Sequence, residues 1–308
     1  MNIESNVSLK DKNWFKTGGP AKQYCEPQTD KEFKQALEYA QKNNLEIFIL
    51  GDGANILISD DGFDGLVIHP QLKEIFHKDN LVTAGSGALM EDLIEYCLNN
   101  NLVGLEEFSN IPGTVGGGVY INLHYFQFFL ADFLVSATLI EKETGNIITV
   151  DTDWFEYGYD QSKLMEHNHF VLSATFKLKP VSDIEIAYAR GRRLEITRHR
   201  MSRYPNGHTC GSFFRNFHED EVTLESNGRK AIWVAYYLDK IGVKGVLKSG
   251  GALVSYQHAN MLVNQGKATS ADLISLARQM QELVKKEFGI IPQPECLLVG
   301  FKEYPLLK

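Results

Sequence analysis

The sequence predicts an α+β protein, and three observations carry the prediction. The first third alternates helix-period and strand-period segments, and the middle third reads as strand. The last third sets two helix-period runs around one strand-like run. With 308 residues, 44% of them hydrophobic and 23% charged, the chain has apolar side chains enough for more than one core.

The elements follow in order. "DKEFKQALEYAQKNN" (30–44) has apolar residues at helical spacing, and its opening Asp30 is suited to cap it. "EIFILG" reads as a buried strand ending at Gly51, with two more short strands at "GLVIH" and "NLVTAGSG". "LMEDLIEYCLNNN" (89–101) is an amphipathic helix stopped by asparagines. From about Val119 to Lys179 strands dominate. "FLVSATLIEKETGNIITV" makes a hairpin around Thr144-Gly145-Asn146, and "HFVLSATFKLK" alternates with period two. The texture changes after Pro180, where a polar stretch leads into an arginine-rich helix, so a domain boundary is expected near 180–190. "AIWVAYYLDKIG" and "SADLISLARQMQELVKKEFG" are helices closed by glycine, and "GALVSYQHANMLVN" between them reads as strand.

A formal net charge of −8 argues against a general nucleic-acid binder, whose affinity rests on neutralising phosphates. "RGRRLEITRHRMSR" (190–203) is either a solvated helix face or a site for an anionic small molecule. Cys25, Cys97, Cys210 and Cys296 form no metal-ligand spacing, so no metal is expected. No run approaches the roughly 18 apolar residues of a membrane span, and the first residues lack a signal-peptide core. The expected location is the cytoplasm, with reduced thiols and no membrane partner.

Four stretches can carry chemistry. "LGDGANILISDDGFDG" (50–65) puts two glycines directly after a buried strand, which suits either a turn or backbone N–H groups facing a pyrophosphate. It lacks the third glycine of a dinucleotide fingerprint. "IPGTVGGGV" (111–119) clears side chains from a length of backbone, for a close chain crossing or for a large planar or phosphorylated ligand. "TCGSFFRNF" (209–217) holds Ser212 after a glycine, a proton donor or a turn serine. "IIPQPECLLVG" (290–300) takes Glu295 into an apolar run, where a carboxylate is costly to bury unless paired or protonated; it is either a candidate general acid or an outward-pointing side chain.

Taken together and in order, these segments resemble the UDP-N-acetylenolpyruvoylglucosamine reductase (UDP-N-acetylmuramate dehydrogenase) family over nearly the whole chain. "NWFKTGGPA", "LGDGANILISDDGFDGLVI", "GLEEFSNIPGTVGGGVYIN", "GSFFRNF" and "GALVSYQHANMLVNQGKATSADLISLARQMQELVKKEFGIIPQPECLLVG" carry the resemblance. It implies a two-subdomain FAD-binding module of the vanillyl-alcohol-oxidase/PCMH type at 1–185, its subdomains meeting near 75–80. A substrate-binding α+β domain at 186–308 would follow. It implies that NADPH reduces FAD, and that a hydride then passes to the enolpyruvyl double bond of a UDP-sugar. Ser212 matches the proton-donating serine and Glu295 the second acid–base carboxylate. The cofactor contacts implied are Gly51, Asp52, Gly53, Ala54, Asn55, Ile111, Pro112, Gly113, Thr114, Gly116, Gly117 and Asn122. Substrate contacts fall on Arg215, which replaces a lysine, and on Asn216 and His258. The short run from Lys244 to Gly251 matches the shorter, open-site subtype. A monomer or weak homo-oligomer is expected.

Three departures stand out. Ala54 replaces a serine. Asp160, in Tyr159-Asp160-Gln161-Ser162, stands where the family has an arginine, the wrong sign beside a carboxylate or developing enolate. Loss of such a donor costs about 3 kcal/mol in the transition state. Leu123-His124-Tyr125 replaces small residues after Asn122, so crowding near the flavin is expected. A paralogue with a changed substrate, or a non-catalytic relative, is the alternative these departures leave open.

Overall fold

A computed structural model describes residues 1–159, 161–226 and 228–308. The chain forms two compact units, each assembled from three segments. The first holds Met1–Asn6, Lys22–Asp52 and Asp64–Arg200; the second holds Val7–Ala21, Gly53–Phe63 and Met201–Lys308. The last change of unit falls near the end of a helix spanning Asp183–Arg203, and position 186 lies in that helix's first turn.

The first unit is organised by a five-stranded antiparallel sheet in the spatial order Ile147–Asp151, Leu134–Glu141, His169–Lys177, Leu81–Gly85, Ile75–Lys78. Successive side chains of a strand point to opposite faces. Leu139 and its partner Val171 therefore join one core, while Ile140 and Phe170 join the other. An irregularity between Thr138 and Leu139 shifts the register, which puts Leu172 and Ala174 on opposite faces.

Helix α1 (Asp30–Lys42) covers one face with Phe33, Ala36, Leu37 and Ala40, the i, i+3, i+4, i+7 stripe of an amphipathic helix. Its cap is Thr29, whose Oγ1 accepts from the Glu32 N–H at 3.2 Å, one residue before the expected Asp30. Helix α2 (Met90–Asn99) supplies the other face with Leu93, Ile94, Cys97 and Leu98. Helix α3 (Val115–Ile121) was legible only as cleared backbone. Thr114 caps it, and tight packing against Ser86 and Leu130 favours glycine at 116 and 118 despite the poor helix propensity. Helix α4 is the Asp183–Arg203 segment.

In the second unit, helix α5 (Val234–Lys240) and helix α6 (Ser270–Phe288) share a core with Phe15, Leu57, Phe213 and Phe214. "GALVSYQHANMLVN" is two strands, Ala252–Val254 and Leu262–Asn264, paired antiparallel. Ser255 interrupts the run because its Oγ accepts from the Gln257 and His258 N–H groups at 3.0 and 3.4 Å, an early turn. Ile56–Ile58 runs parallel to Leu297–Val299. Asp60 accepts from the Ser270 and Ala271 N–H groups at 2.8 Å each, so it caps α6. Among the described residues no helix is long and apolar enough to cross a membrane, and no group of three or more His, Cys, Asp or Glu is arranged for a metal.

Candidate functional site

In the first unit, Gly51 and the 111–117 loop come together: a Cβ on Gly51 would lie 2.8 Å from Thr114 Oγ1. The loop runs along the segment after Leu81–Gly85. Met90 donates to Gly113 O at 3.0 Å, Val115 to Ala88 O at 2.8 Å and Gly116 to Ser86 O at 2.9 Å. Thr114 Oγ1 accepts from the Gly117 N–H at 3.3 Å. A Cβ on Gly116 would lie 2.9 Å from Ser86 Cβ, so that side of the loop is closed. The other side is open. Gly113 has φ 146°, and a Cβ there meets nothing within 4 Å; at Gly117 it meets only Thr114 Oγ1, at 3.5 Å. Beneath the loop the buried Ser86 hydroxyl has no hydrogen-bond partner among the described residues. Bare backbone facing open space beside an unsatisfied hydroxyl fits a flat heterocycle with a polar edge, and so fits FAD.

Ile111 packs on the first unit's core and Pro112 is half-buried. Asn122 is buried in the left-handed region at φ 53° and ends α3. Its Nδ2 donates to Gly158 O at 3.4 Å and its Oδ1 accepts from the Ala131 N–H at 3.1 Å, so the side chain ties together the loops that flank it.

Gly53, Ala54 and Asn55 belong to the second unit. Gly53 has φ 69°, and a Cβ would fall 2.4 Å from Lys12 O, so only glycine fits. Ala54 is half-buried. Asn55 O accepts from the Leu297 N–H at 3.0 Å, and its buried Oδ1 has no partner among the described residues.

Asp160 lies outside the described residues. Its neighbour Ser162 donates to Tyr120 O at 2.5 Å. Leu123 is buried in the first unit's core, and His124–Tyr125 pairs with Phe128–Phe129 as a hairpin. His124 lies 4.9 Å from the Tyr159 ring, and the Arg200 guanidinium lies 5.6 Å from the Tyr125 ring. Arg200 is itself buried and donates to Asn110 O at 3.1 Å, beside the glycine loop. Three other arginines of α4 face carboxylates. Arg192 pairs with Glu107 at 2.9 Å, Arg190 with Glu95 at 3.3 Å, and Arg193 with Glu91 and Glu95.

In the second unit, Ser212 and Glu295 sit on adjacent segments. Ser212 bridges to Met261 and Phe214 to Pro294, and the Glu295 N–H donates to Phe213 O at 2.9 Å. Both residues are half-buried. Three residues after Ser212, Arg215 forms a bidentate pair with Glu221, at 2.7 and 2.8 Å. That guanidinium holds the Glu221 carboxyl down to about 2. Asn216 Oδ1 accepts from the Val234 N–H at 3.3 Å, at the start of α5. His258 stacks on Tyr204 with centroids 6.4 Å apart, and its Nδ1 accepts from the Asn260 N–H at 3.2 Å. Burial, then the charge of Arg203, pushes its imidazole down to about 4.

Residues 202–299 match the model of the UDP-N-acetylenolpyruvoylglucosamine reductase C-terminal domain, and residues 21–151 match an FAD binding domain. The UDP-N-acetylenolpyruvoylglucosamine reductase of Trichormus variabilis is 33% identical over 302 residues, 97% of this chain and 86% of that protein. The chain belongs to this family. The reductase of Lactobacillus acidophilus is 30% identical, covering 97% of this chain and 96% of its own. The crystal structure of UDP-N-acetylenolpyruvylglucosamine reductase (MurB) from Thermus caldophilus superposes with a TM-score of 0.78 at 28% identity, over 97% of this chain and 99% of the other.

Two residues of this family member escaped the sequence reading. Ser86 sits in Gly85-Ser86-Gly87 between a strand and a helix, a placement whose flanking glycines were the available signal. Asn260 is buried and clamps Phe214 from both sides: its Nδ2 donates to Phe214 O at 2.7 Å and its Oδ1 accepts from the Phe214 N–H at 3.1 Å. Nothing local in "HANML" announces that, because the partner is 46 residues away.

Proposed function

We propose that this protein reduces UDP-N-acetylglucosamine enolpyruvate to UDP-N-acetylmuramate with electrons from NADPH, as a cytoplasmic step of peptidoglycan precursor synthesis. The reading assigns FAD to the first unit, through the backbone of Gly51, Asp52 and Ile111–Gly117. Bound FAD supplies two-electron hydride transfer from NADPH to the enolpyruvyl double bond. Ser212 Oγ holds the proton delivered to the carbanion or enol left by hydride addition, and the Glu295 carboxyl is the second acid–base group. Arg215, kept in one orientation by Glu221, binds an anionic part of the substrate, with Asn216 and His258 as further contacts. His258, neutral above about pH 4, acts as a hydrogen-bonding group and not as a cation.

The observation that supports this most is the Glu295 N–H bond to Phe213 O, which brings the two proposed proton-handling residues onto neighbouring backbone. The test is NADPH oxidation by the FAD-loaded protein with and without the enolpyruvyl UDP-sugar. Turnover stimulated by the sugar is expected. Flavin reduction that the sugar leaves unstimulated would mean a changed substrate, the reading that the His124–Tyr159 aromatic contact favours. Asp160→Arg separates the two: higher turnover marks the acid as a handicap, and no gain marks a pocket rebuilt around it.

A further inference from the structure

Helix α4 carries apolar side chains on two faces. Ile186 and Ala189 pack into the first unit's core, and Ile196 is buried on the same face. On the opposite face Ile184 is 71% exposed, Tyr188 76% and Leu194 58%. Helix α6, of similar length, exposes one large apolar side chain, Leu283, at 37%. The exposed residues of α4 form one strip with Ala187, Gly191 and Arg198: positions 184, 191 and 198 recur every seven residues, with 187 and 194 between them.

Gly191 marks the middle of the strip. Glycine is a poor helix former, and a Cβ here would meet nothing within 4 Å, so no contact among the described residues calls for it. A bare position at the centre of an exposed helix face lets a second backbone approach closely. Charge is divided along the same strip. Asp183 and Glu185 stand at its N-terminal end and Arg198 near its C-terminal end, all three exposed. Arg198 forms none of the ion pairs that hold Arg190, Arg192 and Arg193. A second strip laid antiparallel meets this one acid to base, with the helix dipoles opposed; laid parallel, it sets like charges together. We propose that α4 pairs with α4 of a second copy of this chain, antiparallel about a two-fold axis at Gly191.

A two-fold contact uses one self-complementary patch twice. The two glycines cross at the axis. Leu194 of each copy lies on Ala187 of the other, and the Tyr188 hydroxyl reaches the Glu195 carboxylate. The Arg198 guanidinium meets Asp183 of the second copy while its apolar stem covers Ile184. Every exposed apolar side chain of the strip is then covered. The strip from Ile184 to Arg198 is about 21 Å long. It buries less than the roughly 800 Å² per partner of a standard interface, so a dissociation constant on the order of 10 µM is expected. The pairing is independent of the reaction assigned above.

The experiment is sedimentation velocity of the FAD-loaded protein at concentrations from about tenfold below to tenfold above that value. We expect reversible exchange between monomer and dimer. Gly191→Gln is expected to raise the thermal midpoint of the monomer, because glutamine is the better helix former, and yet to weaken the dimer about tenfold. Leu194→Glu is expected to weaken it similarly and to leave the midpoint unchanged. Asp183→Arg and Arg198→Asp should each weaken association, and the double variant, which restores opposite charges across the axis, should recover it to within about threefold. A protein that stays monomeric throughout the range overturns the proposal. So does a dimer that Gly191→Gln and Leu194→Glu leave intact, because its interface is then another surface. A dimer that both of these weaken but the double variant fails to recover overturns the antiparallel pairing.

Discussion

The glycine loop of the first unit and the serine–glutamate segments of the second are built on opposite principles. The loop is made of backbone: Gly113 and Gly117 face open space, Gly116 is pressed on Ser86, and the hydroxyl beneath is unpaired. The segments of the second unit are dense in side-chain chemistry, with a bidentate ion pair at Arg215 and an amide clamp at Asn260. Substitutions in the loop should therefore act on affinity through shape. Substitutions in the second unit should act on proton handling or on the burial of polar groups.

The largest effect should come from Ser212→Ala. Removing a positioned proton donor costs roughly 10²–10⁴-fold. Stopped-flow absorbance should show reduction by NADPH intact and reoxidation by the enolpyruvyl sugar slowed by that factor. Equal loss in both half-reactions would refute the proton-donor role and erase the contrast between the two regions.

Next is Asn260→Ala, which strands the buried Phe214 N–H and C=O. Each unsatisfied group costs about 1–3 kcal/mol, so urea unfolding should show a loss of about 3 kcal/mol in the second unit. A loss below about 1 kcal/mol would mean that water replaces the clamp.

A smaller effect is set by pH. His258 has a folded pKa of about 4, below the roughly 6.5 of a free imidazole. Between those values the unfolded chain binds more protons, so stability falls as pH drops from about 6.5 to 4 and the loss stops growing below that. The contribution is about 2 kcal/mol, and His258→Gln should flatten the slope of thermal stability over that window. An unchanged slope would assign the acid sensitivity to other groups.

Smallest is Gly116→Val in the first unit, whose Cβ would press on the Ser86 backbone. FAD affinity, read by quenching of flavin fluorescence, should fall about tenfold, or about 1.4 kcal/mol, with little change in the rate of the protein that still binds FAD. A change in rate without a change in affinity would contradict the view of this loop as a shape device.

Much of this was legible beforehand because it is local. Helix α1, the Thr144–Asn146 hairpin and the glycine stops of the last helices follow from periodicity and turn chemistry within a few residues. The motif order also carried the family. Other features were not local. "VGGGV" folds as a helix because capping by Thr114 and close packing offset the cost of its glycines, and propensity alone points the other way. The arginines of α4 were open between solvent and an anion, and the Glu91, Glu95 and Glu107 carboxylates that receive Arg190, Arg192 and Arg193 are about a hundred residues upstream.

By itself, then, the sequence determined the α+β class and the family, since each depends on spacing along the chain. Tertiary structure alone decided that Gly53 and Gly51 fall in different compact units and that Asn260 holds Phe214. That clamp joins residues far apart in sequence. It exists only once the chain has collapsed and buried polar groups must find partners, and no local pattern encodes it.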